Sequence, residues 1–296
     1  MNKGIFYALG AYGLWGLFPV YWKWLQHVPA LQLIGHRIGW SFILLMVVIF
    51  ATNQWTKFRS ALTRRVLGVY LVSGLLLSVN WLVYIWGVNA GYVVETSLGY
   101  FINPLLSVLL GMIFLRERLR PAQWFPMGLA AFGVVYLTWA YGSLPWIAIS
   151  LALSFGFYGL VKKLSPLGSL FGLTLETGLV FLPAVGYLVF IEGTGQGAFG
   201  HMGVVPDLLM IGAGAVTTIP LLMFASAARR IPLTTVGIMQ YIAPTLQFLL
   251  GVFVYKEAFT TTKLVGFSLV WIALVVFWVE GALARWAQRG IVEAVG

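Results

Sequence analysis

Long apolar runs, separated by short polar connectors, constrain the fold of this 296-residue chain more than any other feature. A helix that spans a membrane needs about 20 mostly apolar residues. The runs are continuously apolar, whereas the strands of a membrane barrel alternate over about ten residues. Only 9% of the residues are charged, against about 25% in soluble domains. We therefore expect an all-α membrane protein with ten transmembrane helices. In chain order, these spans 1–10 cover residues 4–22, 30–51, 67–88, 93–115, 122–141, 144–161, 169–191, 207–228, 233–255 and 264–284.

The distribution of basic residues predicts how the chain is oriented. Lys and Arg concentrate in cytoplasmic connectors of membrane proteins. With the N-terminus inside, 14 of the 18 basic residues fall on the cytoplasmic side, Lys162 after span 6 among them. The opposite side carries Lys23, Lys256 and Lys263, and Arg37 lies within a span. We therefore expect both termini in the cytoplasm. Anionic lipid headgroups then account for the net charge of +10, and no nucleic-acid partner is expected.

The scarcity of reactive side chains excludes several functional classes. Cysteine is absent, which excludes disulfides and thiolate metal sites. Asp207 is the single aspartate, and His27, His36 and His201 lack the spacing of metal ligands. The sequence also has no H-E-x-x-H, G-x-S-x-G or G-x-x-x-x-G-K-[ST] motif. We therefore expect no metal, no cofactor and no enzymatic activity.

Two segments of the chain resemble each other at an offset of 140 positions. Ile102, Pro104, Leu106, Leu110, Gly111 and Glu117 match Ile242, Pro244, Leu246, Leu250, Gly251 and Glu257. The copies fall in spans 4 and 9. Because an odd number of spans separates them, they enter the membrane in opposite directions, as in many secondary transporters. We therefore expect two inverted five-helix repeats, over residues 1–141 and 142–296.

Short motifs in both halves resemble those of a known family. They are His36-Arg37, Trp40-Ser41, Asn80-Trp81-Leu82, the octapeptide SLGYFINP at 97–104, Ser154-Phe155, FYGL at 157–160, Thr217-Thr218, Gln240-Tyr241-Ile242 and Pro244-Thr245. The family is the RarD branch of the EamA family, in the drug/metabolite transporter superfamily. The resemblance covers the whole chain, and the motif at 97–104 is its most specific part. It implies ten helices in two inverted repeats, and a multi-pass permease of the bacterial inner membrane. The family's association with chloramphenicol sensitivity suggests export of a drug or metabolite.

Three ionisable residues lie deep in the predicted spans. His36 and Arg37 are in span 2 and Glu176 is in span 7, each about 10 Å from a membrane surface at about 1.5 Å per residue. Such groups are costly in hydrocarbon and usually face a cavity or a partner. We take all three as candidate substrate-contacting residues, and we expect Arg37 and Glu176 to face one polar cavity. The alternatives are an arginine that snorkels from a packing seam and a neutral, hydrogen-bonded glutamic acid.

Prolines near the middle of spans 4 and 9 predict a kinked helix in each half. Pro104 and Pro244 each remove the hydrogen bond to the carbonyl four residues back. At membrane depth the freed carbonyl must be satisfied by protein or by cavity water. The candidate substrate-binding residues around these kinks are Tyr100, Asn103, Gln240 and Tyr241. The alternative is that the prolines only shape helix packing.

Span 3 carries polar and aromatic residues on one face. Asn80 and Tyr84 are four positions apart and therefore neighbours on a helix, so both are candidate substrate-binding residues. Tryptophans that could complete a wall suited to flat organic solutes are Trp15, Trp40, Trp81 and Trp86. The alternative for each aromatic residue is a position in the core or against lipid.

These patterns favour a secondary transporter that alternates access around a cavity near the midplane between its two halves. We expect a monomer that exports a small organic molecule, with protons as the candidate coupling ion. An intramembrane enzyme and a channel or scaffold protein are the alternatives. The inverted repeat favours a carrier, because exchanging the conformations of the two halves produces the other open state.

The orientation predicts the behaviour of reporters fused to the C-terminus. A fluorescent protein that folds in the cytoplasm should be active, and a phosphatase that needs the periplasm should be inactive. The opposite pattern would reverse the orientation inferred from the basic residues.

Overall fold

A computed structural model describes residues 3–90, 93–142, 145–255 and 261–295, and these are helical with short connectors. The helices in chain order are α1 (Lys3–Trp24), α2 (Ala30–Ala51), α3 (Trp55–Ser60), α4 (Arg64–Asn89), α5 (Val93–Leu115), α6 (Trp124–Tyr141), α7 (Trp146–Leu164), α8 (Ser169–Gly193), α9 (Val204–Ala228), α10 (Leu233–Met239), α11 (Ile242–Leu249) and α12 (Thr261–Val295). A 3₁₀ turn over Pro121–Gln123 precedes α6, and a π-helical turn over Leu250–Val254 follows α11.

Helices occupy all ten predicted spans, but not all of them are apolar enough to be identified as membrane spans by hydropathy alone. Within the described residues, eight helical segments are long and apolar enough to cross a membrane. Helices α1 and α6 do not meet that standard; both are rich in Gly, Tyr and Trp, which hydropathy scales rate as only weakly apolar. The short helix α3 lies in the connector after α2 and was not predicted.

The ninth span is interrupted at Gln240 and Tyr241, between α10 and α11. Pro244 cannot donate a hydrogen bond to the carbonyl of Gln240, and the amide of Ala243 donates to it instead, at 3.2 Å. Span 4 is not interrupted in this way, because α5 continues through Pro104 as one helix, and the kink expected there stays a prediction. Lys256 and Glu257, which the repeat places directly after the ninth span, lie outside the described residues.

The exterior of the bundle is apolar, as expected of a protein whose solvent is lipid. Large hydrophobic side chains such as Leu182 and Phe125 are 76% and 67% exposed. The interior is built from paired helices: α1 packs on α9 and α11, α2 on α8 and α9, α4 on α7 and α8, α5 on α7 and α10, and α6 on α12. Aromatic rings of Tyr12, Trp15 and Phe224 pack together in the centre of this core.

One end of the bundle, here called the basic end, carries most of the basic connectors and is closed by polar contacts. The carboxylate of Glu117, after α5, accepts hydrogen bonds from the backbone amides of Leu233 and Thr234 at 2.7 and 2.8 Å. These amides begin α10 and have no partner within their own helix. The Lys163 ammonium donates to the carbonyl of Ile231 at 2.6 Å. The contacts of Glu117 therefore tie the first half of the chain to the second.

A second set of contacts fixes the connector between α8 and α9 against α2, at the opposite end. The side chain of Gln32 donates to the carbonyl of Gln196 and accepts from the amide of Ala198, both at 2.8 Å. In the same connector, His201 lies 2.7 Å from the carboxylate of Glu192. This hydrogen-bonded carboxylate raises the pKa of His201 above its usual value.

A buried ion pair joins α7, α8 and α4. The Lys162 ammonium lies 2.7 Å from the Glu176 carboxylate, and the two side chains are only 2% and 1% exposed. Ser73 of α4 and Tyr158 of α7 also donate to this carboxylate, at 2.6 and 3.3 Å. Lys162 was assigned to a cytoplasmic connector from the sequence. That placement is wrong, because α7 extends to Leu164 and its last turns are packed inside the bundle.

Replacing Lys162 by Met should leave the Glu176 carboxylate buried without its counterion. Removing one partner of a buried pair costs about 3–5 kcal/mol of unfolding free energy, which thermal unfolding of the purified protein would report. The double variant Lys162→Met, Glu176→Gln should recover most of this loss because no charge is then buried. Arg120→Gln is the matched control. It breaks the more exposed pair with Glu280 and should cost about 1 kcal/mol or less. Equal destabilisation by Lys162→Met and Arg120→Gln would contradict this account.

Candidate functional site

A cavity of about 260 Å³ opens inside the bundle. Its wall is formed by α1, α2, α4, α5, α7, α9 and the broken ninth span. On α4 the lining residues Asn80 and Tyr84 fall in the second half of the helix, away from the basic end. Six of the residues proposed from the sequence line this cavity: Arg37, Asn80, Tyr84, Tyr100, Asn103 and Gln240.

Arg37 is the cation of the cavity wall. Its Nε atom donates to the hydroxyl of Thr217 at 3.0 Å. The centre of its guanidinium lies 4.8 Å from the ring of Trp22 and 4.5 Å from the ring of Trp81, within the range of a cation–π interaction. In the described part of the chain, no carboxylate lies within ion-pair distance of it. Two indole rings and one neutral hydroxyl therefore hold this charge.

Polar groups on α4 and α5 form another part of the wall. The Asn80 amide donates to the carbonyl of Leu151 and the hydroxyl of Ser154, at 2.9 and 3.0 Å, and so joins α4 to α7. The rings of Tyr84 and Tyr100 meet edge to face with their centroids 5.9 Å apart. Both tyrosines lie near enough to Arg37 to interact with its charge.

The third part of the wall lies at the break of the ninth span. Gln240 accepts a hydrogen bond from Ser107 of α5 at 3.2 Å. Two lining groups, the side-chain oxygen of Asn103 and the Tyr12 hydroxyl, are buried and make no hydrogen bond of normal geometry among the described residues, although the Tyr12 hydroxyl lies close to the Gln240 side chain. Buried polar atoms are nearly always paired in folded proteins, so these two atoms have hydrogen-bonding capacity that the described residues do not use with normal geometry.

Three predicted site residues do not line the cavity. His36 is buried against the ring of Phe199, with centroids 5.2 Å apart. Tyr241 is 3% exposed, and its hydroxyl donates to the carbonyl of Phe101 at 3.2 Å. His36 directly precedes Arg37 and Tyr241 directly follows Gln240, both of which line the cavity. Neighbouring side chains on a helix point about 100° apart, so the two members of each pair face different surroundings. The third is Glu176.

The expected meeting of Arg37 and Glu176 in one cavity is wrong. The Glu176 carboxylate is bound by Lys162, Ser73 and Tyr158, and none of these residues lines the cavity. Helices α2 and α8 do pack together, but Glu176 points between α4 and α7. The similar predicted depth of the two residues could not reveal this difference in direction.

The aromatic wall differs in part from the predicted one. Trp15 and Trp81 line the cavity, whereas Trp40 packs on Phe199 and Trp86 on Trp146. The residues of the wall that were not proposed from the sequence include Tyr12, Phe18, Trp22, Phe155, Thr217 and Gln247. The residues of α1 had a detectable signal: Tyr12, Trp15, Pro19 and Trp22 recur at intervals of three and four, which places them on one helix face.

Comparisons with known proteins agree with a membrane transporter. Residues 2–139 match the EamA-like transporter family. "Uncharacterized transporter YojE" of Bacillus subtilis is 48% identical over 93% of this chain and 93% of its own length. "Protein RarD" of Escherichia coli is 43% identical over 93% of this chain and 94% of its own length. "Chloramphenicol-sensitive protein RarD" of Pseudomonas aeruginosa is 29% identical over 98% and 99%, respectively.

The fold is also similar to that of a solved protein. A crystal structure superimposes with a TM-score of 0.71 over 94% of this chain and 99% of the other. The sequence identity is 17%, so this similarity concerns the fold alone.

Single cysteines should distinguish cavity residues from their buried neighbours, because the chain has no native cysteine. Tyr100→Cys, at a position 38% exposed, should react with a hydrophilic thiol reagent. Tyr241→Cys, at a position 3% exposed, should react at least about tenfold more slowly. Peptide mass spectrometry after timed labelling measures both rates, and the cysteine-free parent reports any background. Equal rates at the two positions would mean that the cavity wall is assigned incorrectly.

Proposed function

We propose that this chain, which belongs to the EamA-like transporter family and to its RarD branch, is a secondary carrier of small organic solutes. The observation that carries the proposal is the cavity between the two halves, which lies towards one end and is separated from the basic end by the Glu117 contacts. A carrier needs a central site that is closed on one side at a time. With the orientation inferred from the basic residues, this cavity faces the outside of the bacterial inner membrane.

The pattern of helix packing supports two inverted five-helix repeats. If each helix is replaced by its equivalent at the offset of 140, the pair α2–α9 becomes α8–α4, and α1–α9 becomes α7–α4. The pair α5–α7 likewise becomes α11–α1. Phe101 and Tyr241, themselves separated by that offset, are in contact with each other. Such a contact is expected where a pseudo-twofold axis passes between the halves.

The repeat suggests how access alternates. Glu117 now holds the start of α10 at Leu233. The same offset pairs Glu117 with Glu257 and Leu233 with Val93 in the sequence. In the opposite state, Glu257 would bind the start of α5 in the same way, and the contact of Glu117 would open. Each glutamate would therefore stabilise closure of one end.

Energy coupling and direction complete the proposal. Protons are the proposed coupling ion. The direction we propose is export, in keeping with the relative named for chloramphenicol sensitivity. The monomer has an apolar exterior that lipid can cover, so no second copy is required.

Removing each glutamate in turn should shift the two states in opposite directions. Ser107 lies on α5 beyond the cavity, towards the basic end, and is 2% exposed, so Ser107→Cys reports opening of that end. Glu117→Gln should speed its labelling several-fold because one charge-assisted clamp is weakened. Glu257→Gln should slow it. Arg118→Gln, at an exposed position beside Glu117, should leave the rate unchanged. Identical effects of both glutamate variants would rule out the alternating clamp.

Counterflow tests the carrier function itself. Proteoliposomes preloaded with an unlabelled solute should accumulate the labelled solute transiently and with saturation, and an imposed pH gradient should drive accumulation uphill. Flux that rises linearly with solute concentration and shows no counterflow would indicate a channel. If no solute that binds is transported, the protein is a binding or scaffold protein and not a carrier.

A further inference from the structure

We infer that the solute of this cavity is an organic anion, whose carboxylate binds Arg37 and whose flat apolar body lies among the aromatic side chains. The inference rests on the proposed function, because it takes the cavity to be the carrier's binding site. It assigns a substrate class to that site.

Among the described residues, the charge of Arg37 has no carboxylate as its partner. A guanidinium has five N–H donors, and in the described part of the chain Arg37 uses one of them, in the hydrogen bond to Thr217. A cation at this depth is costly unless it has a partner or a polar cavity. The remaining donors form a planar fork whose geometry matches the two oxygens of a carboxylate.

The ion pair of Lys162 and Glu176 shows how this bundle surrounds a buried charge that serves only the structure. Glu176 has Lys162 as its counterion and two hydroxyl donors besides. Arg37 has two indole rings in place of a carboxylate. Of the described residues that line the cavity, none is acidic. The cavity is therefore positive, attracts anions and disfavours cations.

The aromatic side chains of the cavity wall indicate the shape and polarity of the rest of the solute. Trp22 and Trp81 flank the guanidinium, and Trp15 and Phe155 extend the same apolar wall. Aromatic faces favour stacked or edge-on contact with another ring. The volume of about 260 Å³ is near the lower end of the range for ligand pockets, so the solute is small. An aryl or indolyl carboxylate has all of these properties.

The inference is tested by comparing the binding of two carboxylic acids with the binding of their amides. Phenylacetate with phenylacetamide, and indole-3-acetate with indole-3-acetamide, differ in charge and hardly in shape. Isothermal titration of the purified protein should show the acid of each pair binding about tenfold more tightly or better, the effect of one charge-assisted contact. In Arg37→Gln the acid and the amide should bind equally.

Two further variants act as controls. Arg59→Gln removes an exposed arginine of α3, outside the cavity, and should retain the full preference for the acid. Arg37→Lys keeps the charge and loses the planar fork, so the preference should shrink but persist; this variant also covers the case in which Arg37→Gln does not fold.

Equal binding of acid and amide by the unaltered protein, or binding of neither at millimolar concentration, would overturn the inference. The same result in proteoliposomes that show counterflow of a neutral solute would leave the carrier function intact. Conversely, Arg37-dependent binding of acids without counterflow would support the anion site and contradict the proposed function.

Discussion

The absence of water from the hydrocarbon core is the physical constraint on which the rest of this structure depends. Backbone amides and carbonyls must be satisfied within the chain, which restricts membrane-spanning segments to helices or closed barrels, and buried charges must be paired or face a polar cavity. The bundle meets the second requirement in two ways. Glu176 is neutralised by Lys162 and bound by two hydroxyls, whereas Arg37 projects into a cavity between two indole rings. That difference separates a structural charge from one that is free to act on a solute.

The break in the ninth span shows how the same constraint shapes the site. Pro244 deprives the Gln240 carbonyl of its usual donor, and the chain replaces it with a tighter turn from Ala243. The interruption brings the Gln240 side chain to the cavity, while Tyr241 turns into the core and reaches Phe101. Neighbouring residues thus acquire different roles: one lines the cavity, and the other joins the two halves of the chain.

The closure of the basic end depends on a helix terminus. The first amides of α10 have no partner in their own helix, and Glu117 supplies one from the other half of the chain. A contact of two hydrogen bonds at an end of the bundle can be broken without disturbing the packed centre. The carrier mechanism proposed above needs a contact of this kind, which closes one end in one state and opens in the other.

The sequence by itself determined the helical class and the stretches of chain that are helical. It also identified nine candidate site residues, of which six line the cavity. These follow from hydropathy, from proline and from the rarity of polar groups in apolar runs, all of which are local properties. Only the tertiary structure decided which way each side chain points. It separated Arg37 from His36 and Gln240 from Tyr241. It also gave Glu176 a partner, Lys162, that the sequence had placed in a connector. Depth in the membrane can be counted along one helix, but direction depends on how that helix is rotated against its neighbours, and packing between distant segments fixes that rotation.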